Sequence, residues 1–134
     1  MIECKLDVER LLSQPLLEFG GPVVGEKERF KVDFMVNDPR GIIAFEAFEP
    51  HQETKWAFWH DEVHVIWGGE AEVSFTLPPN HDKIVTKTFG KGSCYLILDG
   101  TRATFKVTSD EPYLHVCVIM PRFEYNKWQL KGQY

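Results

Sequence analysis

The sequence predicts an all-β domain, an antiparallel sandwich or barrel, and three observations predict it. Strand-like runs of β-branched and aromatic residues recur at short intervals from Arg29 onward. Clusters of turn residues separate them: Asn37-Asp38-Pro39-Arg40-Gly41, Gly68-Gly69, Pro78-Pro79-Asn80, Gly90-Lys91-Gly92, Asp99-Gly100 and Ser109-Asp110-Glu111-Pro112. No helical periodicity intervenes between the runs, which excludes a βαβ organisation.

In order, Leu6–Leu12 carries apolar residues between charges and predicts a short helix ending before Pro15. Gly20–Gly25 is turn-rich. Strands are expected over Arg29–Val36, Ile42–Phe48, Trp56–Trp67, Glu70–Leu77, Lys83–Thr88, Cys94–Leu98, Arg102–Thr108 and Tyr113–Met120. Gly68-Gly69 reads as the turn of a hairpin. Along Trp56–Trp67, alternation places Trp56, Phe58, His60, Glu62, His64 and Ile66 on one face. Two imidazoles and a carboxylate flanked by aromatics are unsuited to a solvated surface. Several runs are apolar on both faces, which predicts a covering sheet from a second copy of the chain, a homodimer.

The chain has 134 residues, one domain's worth, with 43% hydrophobic and 26% charged residues, as ordinary globular proteins have. A net charge of -5 and the lack of a basic block argue against nucleic acid. No apolar run is long enough to span a membrane. No basic-then-apolar leader opens the sequence, and a cytoplasmic location is expected. Cys4, Cys94 and Cys117 lack a paired spacing and read as reduced thiols, with Cys117 a lesser candidate for a ligand or nucleophile.

The spacing from Glu62 to Gly69, continued by Glu70-Ala71-Glu72-Val73, and the Gly92 to Gly100 register resemble the two motifs of the cupins. The resemblance covers roughly residues 29 to 121. It implies a double-stranded β-helix, or jelly-roll barrel, with the whole of 1–134 as one cupin domain. Most cupins hold a metal with two histidines and a glutamate of the first motif and a histidine of the second. Here those histidine positions fall on Trp56 and Phe58 (Lys55 and Ala57 with the longer gap) and on Ala103, so only Glu62 remains. The nearest subset resembles ureidoglycine aminohydrolase and the ethanolamine-utilisation Q protein, on Trp56…Asp61-Glu62-Val63.

A strand rises about 3.3 Å per residue, which sets the Cα atoms of His60 and His64 roughly 13 Å apart. Both rings reach one ion only through a bulge or bend. The expected metal site is therefore Glu62 with His60 or His64, completed by His51, His115, Cys94 or Tyr95. A neutral imidazole beside a carboxylate suits Zn, Fe or Mn. The plainer alternative is a hydrogen-bonded, barrel-lining set with no ion, which could still serve as general acid or base. Trp56 and Phe58 are expected to wall a pocket for a small ligand, with Tyr95 beside them. Lys55 and Arg102 would hold a substrate carboxylate if they turn into the mouth, although such residues are more often solvated strand-edge charges. Glu46 lines the lumen if its strand parity allows. The expected function is a small-molecule enzyme (isomerase, lyase, or amide/imine-cleaving) acting on a small polar metabolite, with Glu62, His60 and His64 catalytic. The competing class is a non-catalytic binding or accessory cupin that has lost its metal.

Overall fold

A computed structural model of the chain describes residues 1–20 and 27–120. The described residues form one short helix and ten strands: α1 (Val8–Leu12), β1 (Leu17–Gly20), β2 (Lys27–Asp38), β3 (Gly41–Phe48), β4 (Glu53–Ala57), β5 (Asp61–Gly68), β6 (Glu70–Thr76), β7 (Val85–Gly90), β8 (Cys94–Ile97), β9 (Arg102–Val107) and β10 (Tyr113–Met120). The turn-rich Gly20–Gly25 segment lies, after Gly20, outside the described residues.

The strands make two antiparallel sheets. One has the order β1-β2-β3-β10-β5-β8 and the other β4-β9-β6-β7. Their inner faces close on one core of Phe30, Val32, Phe48, Phe58, Ile66, Val73, Phe105 and Tyr113, which is the double-stranded β-helix of the cupin fold. α1 is started by Asp7, whose carboxylate accepts the Arg10 N–H at 3.0 Å. Its buried Leu11 packs on Phe45, Ala47 and Leu114, on the outer face of β3 and β10. The rest of that outer face lacks such a cover among the described residues, and Val65, Trp67 and Leu96 are exposed on it.

Two expectations about the central stretch need correction. Trp56–Trp67 is not one strand. β4 ends at Ala57 in the four-stranded sheet, and β5 begins at Asp61 in the six-stranded one. Phe58 is the hinge: its N–H donates to the Thr101 carbonyl at 2.9 Å, and its carbonyl accepts from Gly100 N–H at 2.7 Å. Nor is Gly68-Gly69 a hairpin turn, because β5 pairs with β10 and β8 while β6 pairs with β7 and β9. The glycines carry the chain from one sheet to the other. Gly69 has φ +69, and a Cβ there would stand 2.3 Å from the Pro112 carbonyl oxygen, so this close crossing requires glycine. β1, a short strand on β2, lay outside the strand runs read from the sequence.

Alternation within β5 is regular. Glu62, His64 and Ile66 are buried, whereas Val65 and Trp67 are exposed.

Candidate functional site

β5 supplies the centre of the site. Its inward row sets Glu62 and His64 side by side, and His64 Nε2 lies 3.0 Å from Glu62 Oε2. His60 precedes the strand in the bend after Phe58, which lets its ring fold back instead of continuing a straight row. Its Nε2 lies 2.5 Å from Glu62 Oε1. The two rings therefore meet the two different oxygens of Glu62 and not a single point.

β10 is the inner neighbour of β5 and brings a second row. Cys117 is paired with His64 across the ladder, and its thiol donates to Glu62 Oε2 at 2.9 Å. His115, fully buried, stacks on His64 with ring centroids 4.5 Å apart. Its Nε2 donates to Glu46 Oε2 at 3.0 Å, across the β10–β3 pairing. His115 Nδ1 has no partner among the described residues. On the far side of His64, Nδ1 meets the Tyr95 hydroxyl at 3.3 Å, and Tyr95 meets the Tyr113 hydroxyl at 3.1 Å. With His64 Nε2–H donating to Glu62, Nδ1 is an acceptor. The chain of donation therefore runs Tyr113, Tyr95, His64, Glu62, with His60 and Cys117 donating to the same carboxylate.

The electrostatics follow from that count of donors. Burial alone would push the Glu62 carboxyl up, but the bonds from His60 and His64, assisted by Cys117, outweigh it and hold it down to about 2. Glu62 is thus a buried anion whose two oxygens are both occupied. His64 is held below the usual imidazole range by burial and by the neighbouring His115, against the pull of Glu62. Burial, with Glu46 and Glu62 nearby, pushes the Cys117 thiol up, so it is a donor and not a free thiolate nucleophile. Burial also raises the Tyr95 hydroxyl, and it pushes that of Tyr113 up to about 12.

Two cavities flank this chain. The smaller, about 120 Å³, holds the chemistry: Glu46, His60, Glu62 and His64 line it, walled by Trp56 and Phe58. Trp56 is set edge-on to Phe30 at 5.9 Å, and Phe58 edge-on to Phe105 at 6.4 Å. The larger, about 400 Å³, has no carboxylate or imidazole in its lining among the described residues. Size alone would favour the larger cavity, but among the described residues the carboxylates and imidazoles converge on the smaller.

Among the residues singled out by sequence, His60, Glu62, His64, Trp56 and Phe58 meet at the small cavity, and Tyr95 reaches it through His64. Glu46, His115 and Cys117, also singled out, join them there, but Lys55, Arg102, His51 and Cys94 do not. Lys55 and Arg102 are exposed on the outer face of the β4–β9 pair, because cross-strand register puts them on the side opposite Trp56 and Ala103. His51 sits in the turn before β4, exposed and 3.0 Å from Asp110. Cys94 is exposed at the start of β8. Glu46, His115, Cys117 and Tyr113 complete the cluster. Alternation in Tyr113–Met120 already puts Tyr113, His115 and Cys117 on one face, but only strand order shows that the face is shared with Glu62.

No family model matches the sequence, and no curated protein matches it. Solved structures do. CENP-C of Drosophila melanogaster, in a complex with CAL1, superposes with a TM-score of 0.60 at 20% identity, over 78% of this chain and 80% of that one. A conserved protein with a double-stranded β-helix domain from Klebsiella pneumoniae gives 0.58 at 18%, over 75% and 81%. The Clostridium difficile EutQ protein gives 0.54 at 14%, over 69% and 63%. At these identities the likeness establishes the cupin fold. EutQ stands no nearer than the others, so no subset within the fold is distinguished.

Proposed function

We propose that the chain is a small-molecule enzyme of the cupin type, an isomerase, lyase or amide/imine-cleaving enzyme acting on a small polar metabolite. The observation that carries this reading is the buried Glu62 carboxylate bracketed by His60 and His64 on the wall of an aromatic-lined cavity. At about 120 Å³ the cavity is below the usual 300 Å³ floor of ligand pockets, which suits a substrate of a few heavy atoms.

The division of labour follows from the bonds. Glu62 has no oxygen to spare and too low a proton affinity to act as the base. It orients His60 and stabilises the imidazolium formed when that ring takes a proton. His60 Nε2–H is committed to Glu62, so Nδ1 is its remaining acceptor, and the ring is the less buried of the pair, with 17% of its side chain exposed against 3% for His64. In an isomerisation His60 removes a proton from the carbon beside a carbonyl or imine and returns it to a neighbouring atom. In an elimination it returns that proton to the leaving group. Trp56 and Phe58 exclude water from the intermediate.

A divalent metal fits beside this dyad, although not at the positions occupied by most cupins. Trp56, Phe58 and Ala103 cannot ligate. Glu62, His64 and Cys117, all buried, offer ligand atoms lying within 4.8 Å of one another. A metal there would take the place of the His64 and Cys117 protons on Glu62 Oε2, with Cys117 bound as thiolate, and thiolate with imidazole favours Zn or Fe over Mn. A metal so held would supply Lewis-acid polarisation of a carbonyl or imine. His60 keeps the role of base in either form.

The test needs no prior substrate. A panel of small carbonyl and imine metabolites incubated with the protein in deuterated water should gain carbon-bound deuterium, read by mass spectrometry. His60→Ala and Glu62→Gln should each reduce that gain by about a hundredfold or more. Elemental analysis of chelator-free protein should find Zn or Fe near one per chain, lost in His64→Ala and Cys117→Ser. Exchange with no metal leaves the acid–base reading and removes the metal. Metal with no exchange on the panel, or neither signal, moves the chain to the binding or accessory class.

We propose a second copy of the chain as the partner covering the bare outer face of β5 and β8, where Val65, Trp67 and Leu96 stand exposed. Sedimentation should then show a dimer, and Trp67→Glu should shift it to monomer. A wild-type monomer at high concentration would refute this assembly.

A further inference from the structure

The larger cavity lies where the two sheets part. Among the described strands β7 is hydrogen-bonded to β6 alone and forms the edge of the four-stranded sheet, and β8 is bonded to β5 alone and forms the edge of the six-stranded one. Between these edges is a space of about 400 Å³, well inside the range of small-molecule sites. Phe75, Leu77, Phe89 and Ile97 contribute its apolar walls.

Two features are unexpected for a mere packing defect. The first is Lys87. In the β6–β7 ladder it pairs with Val73, which is 3% exposed and belongs to the core. Cross-strand partners share a face, so Lys87 stands on the lumen side of β7, at a position where alternation calls for an apolar residue between Val85 and Phe89. Among the described residues it is the one charged residue lining the cavity, its own side chain exposed at the rim. The second is Thr101, also a lining residue. It is 4% exposed, and its buried hydroxyl has no hydrogen-bond partner among the described residues. Buried hydroxyls are seldom left so.

We propose that this cavity is a second ligand site, distinct from the Glu62 centre, for an amphipathic carboxylate: an apolar body between the sheets, an anionic head at Lys87, and a polar atom available to Thr101. An apolar wall with a single cation at its mouth selects for that combination. It disfavours both a neutral hydrocarbon chain, which leaves Lys87 unmatched, and a cation, which Lys87 repels. Tyr95 lines the same space and bonds through its hydroxyl to His64, so an occupant would touch the wall between the two cavities. The proposal does not depend on whether the Glu62 centre catalyses a reaction.

Calorimetric titration at low salt with octanoate, octanol and octylammonium tests it. Octanoate should bind about fivefold more tightly than octanol, the value of one rim ion pair, and octylammonium should be the weakest. Lys87→Glu, a substitution at an exposed side chain, should reverse the order of octanoate and octylammonium. Val73→Phe, which puts bulk into the cavity, should weaken octanoate at least tenfold with an unchanged circular dichroism spectrum. Three outcomes overturn the proposal: no binding by any probe, an order unaffected by Lys87→Glu, or octanoate binding undiminished in a folded Val73→Phe protein. The last would place the probe on the outer sheet face instead.

Discussion

Glu62→Ala should destabilise the protein by about 3–5 kcal/mol, while His60→Ala should cost about 1 kcal/mol and still abolish proton transfer. The asymmetry comes from what each substitution leaves behind. Removing the Glu62 side chain strands three donors, His60 Nε2, His64 Nε2 and the Cys117 thiol, and two of those residues are almost wholly buried. Breaking a buried charged network by deleting one partner carries the desolvation of everything left unpaired. It also opens a void against His64. His60 lies at the edge, where water can replace it as a donor to Glu62. Glu62→Gln should fall between, since an amide keeps one acceptor but turns an N–H₂ toward a group that itself donates. Urea unfolding followed by tryptophan fluorescence checks the order Glu62→Ala, Glu62→Gln, His60→Ala. Equal effects of Glu62→Ala and His60→Ala would mean that the carboxylate is solvated, and the site described above would not exist.

How much of this was legible in sequence depends on whether the signal was local. The parity of His60, Glu62 and His64 was readable because period-two alternation survives in any half-buried strand. The break at Phe58 was not. Alternation looks the same whether a strand continues or leaves one sheet for the facing one, and Trp56 and Phe58 reach the same lumen either way. For that reason the walls were assigned from an incorrect picture of the strand. Gly68-Gly69 shows the same ambiguity: a positive-φ glycine suits a hairpin turn and an inter-sheet crossing equally, and the close approach to Pro112 decides between them. That some runs are apolar on both faces needs only alternation, and Val65 and Trp67 stand exposed on the outer face of β5. Cys117, His115 and Glu46 needed strand order. β10 lies between β3 and β5, far from both in sequence, and nothing local announces that pairing. Lys55 and Arg102 were left as mouth or surface charges. Their register against Thr104 and Ala57 puts them outside.

Acid should unfold the chelator-treated protein in two overlapping stages, and the sign of each can be worked out. His64 is held below its ordinary value, so the folded state keeps it neutral while the unfolded chain takes up a proton as pH falls below about 6.5. Stability that is complete above that value is lost below it. The Glu62 carboxyl is held at about 2 against an ordinary 4.5, so its contribution is complete above about 4.5 and is lost as pH falls toward 2. That difference is worth about 3 kcal/mol by linkage. Both groups therefore push the same way. The urea midpoint should be highest near neutrality, decline below pH 6.5 and fall more steeply below 4.5. Glu62→Gln removes the second group, so its curve should lack the steep acid limb while starting from lower stability. A wild-type midpoint that peaks between pH 4 and 5 would contradict this, because it would mean that the folded state binds protons more readily than the unfolded chain. The same measurement separates Glu62 from the exposed carboxylates, for solvent screens their pairs and leaves them little linkage to folding. An acid limb that persists unchanged in Glu62→Gln would place the acid-sensitive group elsewhere, and the argument for a permanently ionised carboxylate orienting His60 would fall with it.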